Sequence, residues 1–491
     1  MLSIEQIKYF IDNDRMSKKK RLAKVGERYY EGDHDIKNYK LYYYNTDRQL
    51  VEDKTRSNIK IPHPFFTELI DQKIQYQFSG DGYIFKSNLQ DSKLQEILDE
   101  YLNENEDFKA ALEEVSTDAS AKGFGYMYLF RDKEGKLAYQ CAETMGVVEV
   151  RAKDNQDNCD YVIYWYIDRI NEDNKKIKKY QVWSDKEVCF FTQVEEEAIT
   201  MDESTKENPN PRQHSVFIEG ARIGSESFGF IPFFRLDNNS KQISDLKPIK
   251  DLIDDYDVMA CGLSNNIQDA SEYLLVVKGF DGDDVSEIQT NAKTTKAMGV
   301  PEGGDVDFKT VAIPYDARKV KLELDEKNIY RFGMGFNSAQ LGDGNITNVV
   351  IKSRYALLDL KCNKFETQLR KFLRKILKIV LDEVNKLNNT SYQLKDVYME
   401  FDREVMTNAL DNAQIEKVEA ETRNIVVNYL LSLAATLDNE TIVQSICECL
   451  DIDYEEIKDK LPVDETKIDE VKNDLDNVPI DDELEDNVGV S

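Results

Sequence analysis

The chain is 491 residues long, 41% apolar and 32% charged, with a formal net charge of −30. That size and apolar content describe a folded protein of about two to four modules and exclude a disordered chain. The acidic balance repels duplex DNA at long range and disfavours generic DNA binding.

In chain order, the segment to about Gly32 has the pattern of a helix with a basic run at Lys18–Arg21, followed by a tyrosine-rich loop over Tyr39–Tyr44. Phe65, Phe66, Leu69, Ile70, Ile74 and Phe78 recur at helical spacing and predict a helix over Pro64–Phe78. Leu94–Leu102 and Phe108–Ala121 continue as helices. From Gly123 the period changes to two: Tyr126, Tyr128 and Phe130 alternate, and Gly135 stands before Leu137 and Tyr139, which predicts a hairpin. Val147–Val150, Tyr161–Ile167, Tyr180–Trp183 and Val188–Thr192 read as strands and 203–211 as a polar loop, so the first half is an α+β module. Ile231–Asn239 reads as a β-like segment leading into a turn. Ser244 or Asp245 then caps a helix to about Ser271, about 40 Å long, with Pro248 in its first turn and one apolar stripe from Leu246 to Ala270. No catalytic residue types cluster in this block, which points to an assembly role rather than to chemistry.

Tyr273–Val277 reads as a strand, 286–296 as a short helix, Val306–Ile313 as a strand, and the stretch after Pro314 as a second helix to about Phe332. Asp281–Asp284 lacks the closing Glu of a calcium loop and reads as a solvated turn. Gly333, Gly335, Gly342 and Gly344, with Asn337, Ser338, Asn345 and Asn348, make a flexible break with no GxxxxGK[ST] phosphate cradle. The longest helical pattern follows over about Thr347–Leu387, on the order of 60 Å. Between Ile351 and Lys378 it carries nine basic residues against Asp359 and Glu366, a local charge of +7. A solvated face pairing with acidic neighbours and a polyanion-facing surface are equally good readings of it. Val397–Phe401 reads as a strand, Ala409–Ala435 and Asn439–Leu450 as helices, and Val463–Ser491, with eleven Asp/Glu against Lys467 and Lys472, as a disordered or weakly ordered acidic tail.

The seven cysteines are odd in number and only Cys447 and Cys449 lie close together, so they read as free, buried thiols in a reducing cytoplasm. The three histidines are too scattered for a metal site or a triad. No secretory signal pattern opens the chain and no run of 18 apolar residues occurs, so synthesis in the cytoplasm without a membrane span is expected, and no cofactor or metal.

Five stretches stand in order: Tyr29–Ile36 (YYEGDHDI), Asn58–Ile61 with Phe66–Gly80 (FTELIDQKIQYQFSG), Gly123–Leu129 (GFGYMYL), Ile231–Asn239 with Ser244–Tyr256 (SDLKPIKDLIDDY), and Tyr273–Gly279 (YLLVVKG). Together they resemble the portal, or head-to-tail connector, proteins of tailed bacteriophages, of the type found in siphophages of Gram-positive hosts. The chain departs from that family's G-x-x-SG-x-A-L-x-Y segment, reading Gly344–Tyr355 there instead. The resemblance implies a mainly helical, ring-forming α+β portal fold. Residues 1–243 would be the wing, 244–271 a stem helix, 272–313 the clip and 314–332 a second stem helix. A tunnel loop over 333–348, a long helix returning to the wing over 349–389, a crown over 390–462 and the acidic tail over 463–491 would complete it.

The same resemblance implies a dodecameric ring at one capsid vertex of the virion, through which double-stranded DNA enters during packaging and leaves at ejection, with no enzymatic activity. Its implied partners are the terminase large subunit, scaffolding and major capsid proteins, and a head–tail adaptor. Gln340, Leu341, Gly342, Asp343 and Asn345 would lie nearest the DNA, with Lys352 and Arg354 facing phosphates just beyond. A mostly acidic conduit with few basic rings suits this role, because each neutralised phosphate adds affinity that would hold the DNA. The alternatives are another ring-forming head–tail adaptor, which the length argues against, or a DNA-processing enzyme, for which no phosphate loop, metal-ligand spacing or nucleophile elbow is present.

Overall fold

Ser17 divides the expected first helix into α1 (Ile4–Met16) and α2 (Lys18–Tyr30): its extended backbone ends the first, and its hydroxyl accepts from the Lys20 N–H to cap the second. The computed structural model describes residues 1–54, 56–80, 82, 84–89, 92–132, 135–151, 159–170, 175–205, 209–219, 222–269, 274–278, 305–309, 315–337, 348–403, 409–433, 439–450 and 454. The chain divides into two compact units, residues 1–345 with 349–406, and residues 346–348 with 407–491.

In the first unit the tyrosine-rich segment is not a plain loop. It forms a hairpin of β1 (Tyr42–Tyr44) and β2 (Leu50–Glu52), closed by Asn45, whose side chain accepts from the Asp47 and Gln49 N–H groups. α3 (Phe65–Gln77) and β3 (Phe85–Ser87) follow. α4 (Ser92–Leu98) runs into a wide turn over Asp99–Asn103. α5 (Glu106–Lys122) starts at Asn105, whose side chain caps it, and ends at Gly123 in the left-handed conformation (φ 97°). The expected hairpin pairs β4 (Phe124–Arg131) with β5 (Leu137–Ala142), and β14 (Phe233–Asp237) pairs on the other edge of β4.

The strands expected after it form an antiparallel meander of β6 (Val147–Arg151), β7 (Cys159–Ile170), β8 (Lys176–Trp183), β9 (Glu187–Val194) and β10 (Thr200–Met201), with β11 (Arg212–Gln213) also on β9. β12 (Ser215–Glu219) and β13 (Arg222–Glu226) make a further hairpin that periodicity had not marked.

α6 (Lys250–Asp269) begins five residues later than Asp245. Residues 245–249 form turns instead: the Asp245 carboxylate is taken by lysines rather than by the helix end, while the Ser244 hydroxyl accepts the Leu246 N–H at 3.1 Å. The expected single stripe on this helix is also buried only in its first half: Leu246, Ile249 and Ile253 are inside, and Ile267 is 56% exposed. β15 (Leu274–Lys278) pairs with β16 (Asp305–Lys309), followed by α7 (Tyr315–Gly333), the 41-residue α8 (Asn348–Asn388), and β17 (Val397–Met399), which pairs with β3. The expected features at 281–284, 286–296 and 463–491 lie outside the described residues. In the second unit, α9 (Ala409–Ser432) and α10 (Asn439–Leu450) occupy the two expected helical stretches, with Ile442 and Cys447 buried.

One core of the first unit is built on α8. Leu358, Cys362, Phe365, Leu369, Phe372, Ile376, Val380 and Val384 recur every three or four residues and are buried, most of them against α4, α5, β4, β5 and β17. Each such side chain contributes about 1.5–3 kcal/mol on burial. A second core packs α2 and α3 against α6 and α7 through Phe66, Leu69, Ile70, Ile253 and Ile329. α2 and α3 together therefore join the paired helices α6 and α7 to the rest of the unit.

Candidate functional site

Lys73 of α3 is 1% exposed, and an ammonium so placed needs every N–H accepted. Its Nζ donates to Ser120 Oγ (2.8 Å) at the end of α5, to Asn238 Oδ1 (2.7 Å) just after β14, and to Asp245 Oδ2 (2.9 Å). The same nitrogen lies 4.2 Å from the Phe365 ring centroid. Asp245 Oδ1 accepts from Asn238 Nδ2 at 2.8 Å, and Lys361 Nζ of α8 lies 3.3 Å from Asp245 Oδ2 while donating to the Gly333 carbonyl at 2.9 Å. Burial pushes the Asp245 carboxyl up, but the Lys361 and Lys73 ammonium groups and the Asn238 amide outweigh it and hold it well below the usual carboxylate range. This node fastens the last residue of α7 and the body of α8 to one half-buried carboxylate.

The chain leaving α7 is clamped as it goes. A Cβ on Gly335 would lie 2.3 Å from Leu69 Cδ2, and on Gly333 2.6 Å from Leu69 Cδ1, so glycine fits where the chain crosses α3. Gln72 holds Phe336 on both sides, donating from Nε2 to its carbonyl (2.9 Å) and accepting its N–H (3.3 Å). The Phe336 ring meets Tyr355 of α8 at 4.8 Å, and Tyr355 meets Tyr76 at 5.2 Å. A groove of about 640 Å³ lies beside Phe336, lined by Phe65, Glu68, Gln72 and Gln75 among others.

α6 carries a second polar cluster. The Asp257 oxygens accept from His34 Nδ1 and His63 Nδ1, both at 2.7 Å, and from the His63 N–H at 2.9 Å. A carboxylate only accepts, so each imidazole carries its proton on Nδ1. Burial raises the Asp257 carboxyl and the histidine bonds more than reverse this, leaving it below its ordinary value. The Ile59 N–H donates to Asn265 Oδ1 (2.7 Å) and the Ile61 N–H to Cys261 Sγ (3.2 Å). Two residues forward on this segment match four back on α6, so it runs antiparallel along the helix.

Of the residues singled out from the sequence, Gln340, Leu341, Gly342, Asp343 and Asn345 lie outside the described residues. Lys352 is exposed in the first turns of α8, and Arg354 follows two residues on. The basic residues of α8 divide in kind. Lys361 is buried in the node, and Arg370 bonds Glu366 and the Met399 carbonyl. Lys364, Lys371, Arg374, Lys375 and Lys378 are exposed.

Sequence reasoning passed over Lys73, Gln72 and the joint role of the histidines. The only available signal was that Lys73, His34 and Asp245 each fall inside the singled-out stretches. Among the described residues, no group of three or more His, Cys, Asp or Glu is arranged to hold a metal ion, and no helix is long and apolar enough to cross a membrane.

Comparison with known proteins gives a consistent result. A family model described as "Phage portal protein, SPP1 Gp6-like" matches residues 9–461. The portal protein of Bacillus phage SPP1 is 32% identical over 354 residues, covering 71% of this chain and 67% of that protein. The portal protein of Clostridium phage phiCD119 is 26% identical over 427 residues, covering 84% of this chain and 89% of its own.

Proposed function

The chain belongs to the SPP1 Gp6-like family of phage portal proteins, and on that premise we propose that it forms a dodecameric ring at a capsid vertex and conducts double-stranded DNA during packaging and ejection. The observation that carries this reading is the family match over nearly the whole chain. In this reading residues 1–243 are the wing, 244–271 (containing α6) and 314–332 (within α7) the stem, 272–313 the clip, 333–348 the tunnel loop, and 349–389, nearly all of it α8, the long helix returning to the wing. The crown takes 390–462, and Thr407 onward belongs to the separate compact unit.

The helix pairing supports the stem assignment: α6 and α7 lie side by side, and Lys321 bridges Asp255 (2.5 Å) and Asp325. The clamped exit at Gly333–Phe336 supports the loop assignment, since a loop in a conduit needs fixed ends and glycines to change shape without strain. Gln340, Leu341, Gly342, Asp343 and Asn345 are assigned to the DNA path and Lys352 and Arg354 to phosphates beside it. The terminase large subunit, scaffolding and major capsid proteins and a head–tail adaptor are the partners of this reading, and no catalytic step is assigned.

Electron microscopy of the purified chain, classified by symmetry, tests the proposal. Closed rings of about twelve or thirteen subunits are expected, with a channel on the order of 20 Å or more, wide enough for duplex DNA. A compact dimer with a deep closed cleft overturns it.

A further inference from the structure

The hairpin β1–β2 is a ribbon with both faces in solvent. Tyr42, Tyr44 and Leu50 are 53%, 73% and 58% exposed on one face; Tyr43 and Val51 are 48% and 37% exposed on the other. A free two-stranded hairpin is marginal in water, and this one carries large aromatic side chains whose burial is worth most at an interface. It therefore has the composition of a contact element that the described residues do not cover.

A matching surface lies elsewhere on the same chain. Ala317, Val320 and Leu324 line one side of α7 at i, i+3 and i+7, with Val320 63% and Leu324 53% exposed. Exposed Lys327 and Arg331 continue that side, offering cations to tyrosine ring faces. This side lies roughly 100° around the helix from the face that meets α6, where Lys321 pairs with Asp255 and Arg318 lies beside Gly262.

The segment beyond the hairpin and α7 lie on different flanks of α6. The segment that follows the hairpin rides on Asp257, Cys261 and Asn265, whereas α7 approaches through Asp255 and beside Gly262, where Arg318 lies 3.1 Å from an added Cβ. By helical periodicity these faces are about 120° apart. A head-to-tail ring requires this of a subunit: two unlike, complementary surfaces on separate flanks, each used once. We infer that the β1–β2 hairpin of one copy clasps the Val320–Leu324 face of α7 on the next copy, a contact that rests on the ring-forming reading above.

The test uses the full chain. The triple substitution Tyr42→Ser, Tyr43→Ser, Tyr44→Ser and the double substitution Val320→Asp, Leu324→Asp are compared with wild type by negative-stain microscopy and sedimentation. Far-UV circular dichroism checks that each variant is folded. Each variant is expected to raise the protein concentration needed for half-assembly by at least about tenfold with unchanged helix content.

Independently, Tyr43→Cys combined with Leu324→Cys is expected to give a ladder of disulfide-linked oligomers under mild oxidation, absent from either single variant. Rings that form at the wild-type concentration in both surface variants, and give no ladder with the paired cysteines, overturn the clasp alone. A wild-type chain that stays monomeric at every concentration overturns the ring reading and the clasp with it.

Discussion

Asp245→Asn removes the one negative charge between two buried ammonium groups. With Lys73 at 2.9 Å and Lys361 at 3.3 Å, each pair is worth about 5–6 kcal/mol gross at an effective dielectric near 20. Desolvation of three charges offsets most of this, and removing one member of a buried ionic cluster costs about 3–5 kcal/mol net.

The effect is local first, so native-state hydrogen exchange is the assay: the amides of α3 and of α8 around Lys361 are expected to open about 3–5 kcal/mol more easily. The acid side gives a second readout. Because the folded-state carboxyl is depressed, its contribution is complete above the unfolded value and is lost as pH falls through the lower folded one; Asp245→Asn abolishes that part of the acid sensitivity. The combined variant Lys73→Met, Asp245→Leu, Lys361→Met is expected to lose less than Asp245→Asn alone, since no charge is left buried and unpaired. Opening energies in Asp245→Asn within about 1 kcal/mol of wild type refute the reasoning.

Gly26→Ala raises helix propensity by up to about 1 kcal/mol but places a Cβ 2.0 Å from the Ala121 backbone oxygen; a net loss of about 1–3 kcal/mol is expected, read as a lowered melting temperature. Phe372→Ala, at a site 2% exposed on the inner face of α8, is expected to cost about 3–5 kcal/mol in denaturant unfolding. In Asp257→Asn the amide NH₂ faces one of the two imidazole donors, and a loss of about 1–3 kcal/mol is expected in thermal unfolding near neutral pH. Lys352→Glu with Arg354→Glu is expected to reduce DNA packaged per particle while rings assemble normally; full packaging removes these two residues from the DNA path.

Where apolar residues repeat over many turns, the sequence was readable: α7, α8 and α10 begin and end within about two residues of expectation. Short strands were harder. Tyr42–Tyr44 read as loop because three consecutive tyrosines show no alternation, and the β12–β13 hairpin lacks a clear period. Competition misplaced the start of α6, since Asp245 is a good cap by type but bonds buried lysines by position. The node at Lys73 was illegible for a related reason. A lysine in a helical stretch looks like surface, and only residues far along the chain, Asn238, Asp245 and Lys361, bring it inside. The family resemblance, by contrast, was legible from short ordered stretches, and the match over residues 9–461 bears it out.

The antiparallel ride of Ile59–His63 along α6 has a consequence for how the protein is made. Its partners on the helix are about 200 positions later in the chain. At about 5–20 residues per second, a ribosome needs roughly 10–40 s to deliver them. Over that interval Phe66, Leu69 and Ile70, which end up at most 1% exposed, have neither α6 nor α7 to cover them. The N-terminal eighty residues therefore leave the ribosome with apolar surface that only the later helices α6 and α7 cover. Folding of the first unit completes only when the end of translation is near.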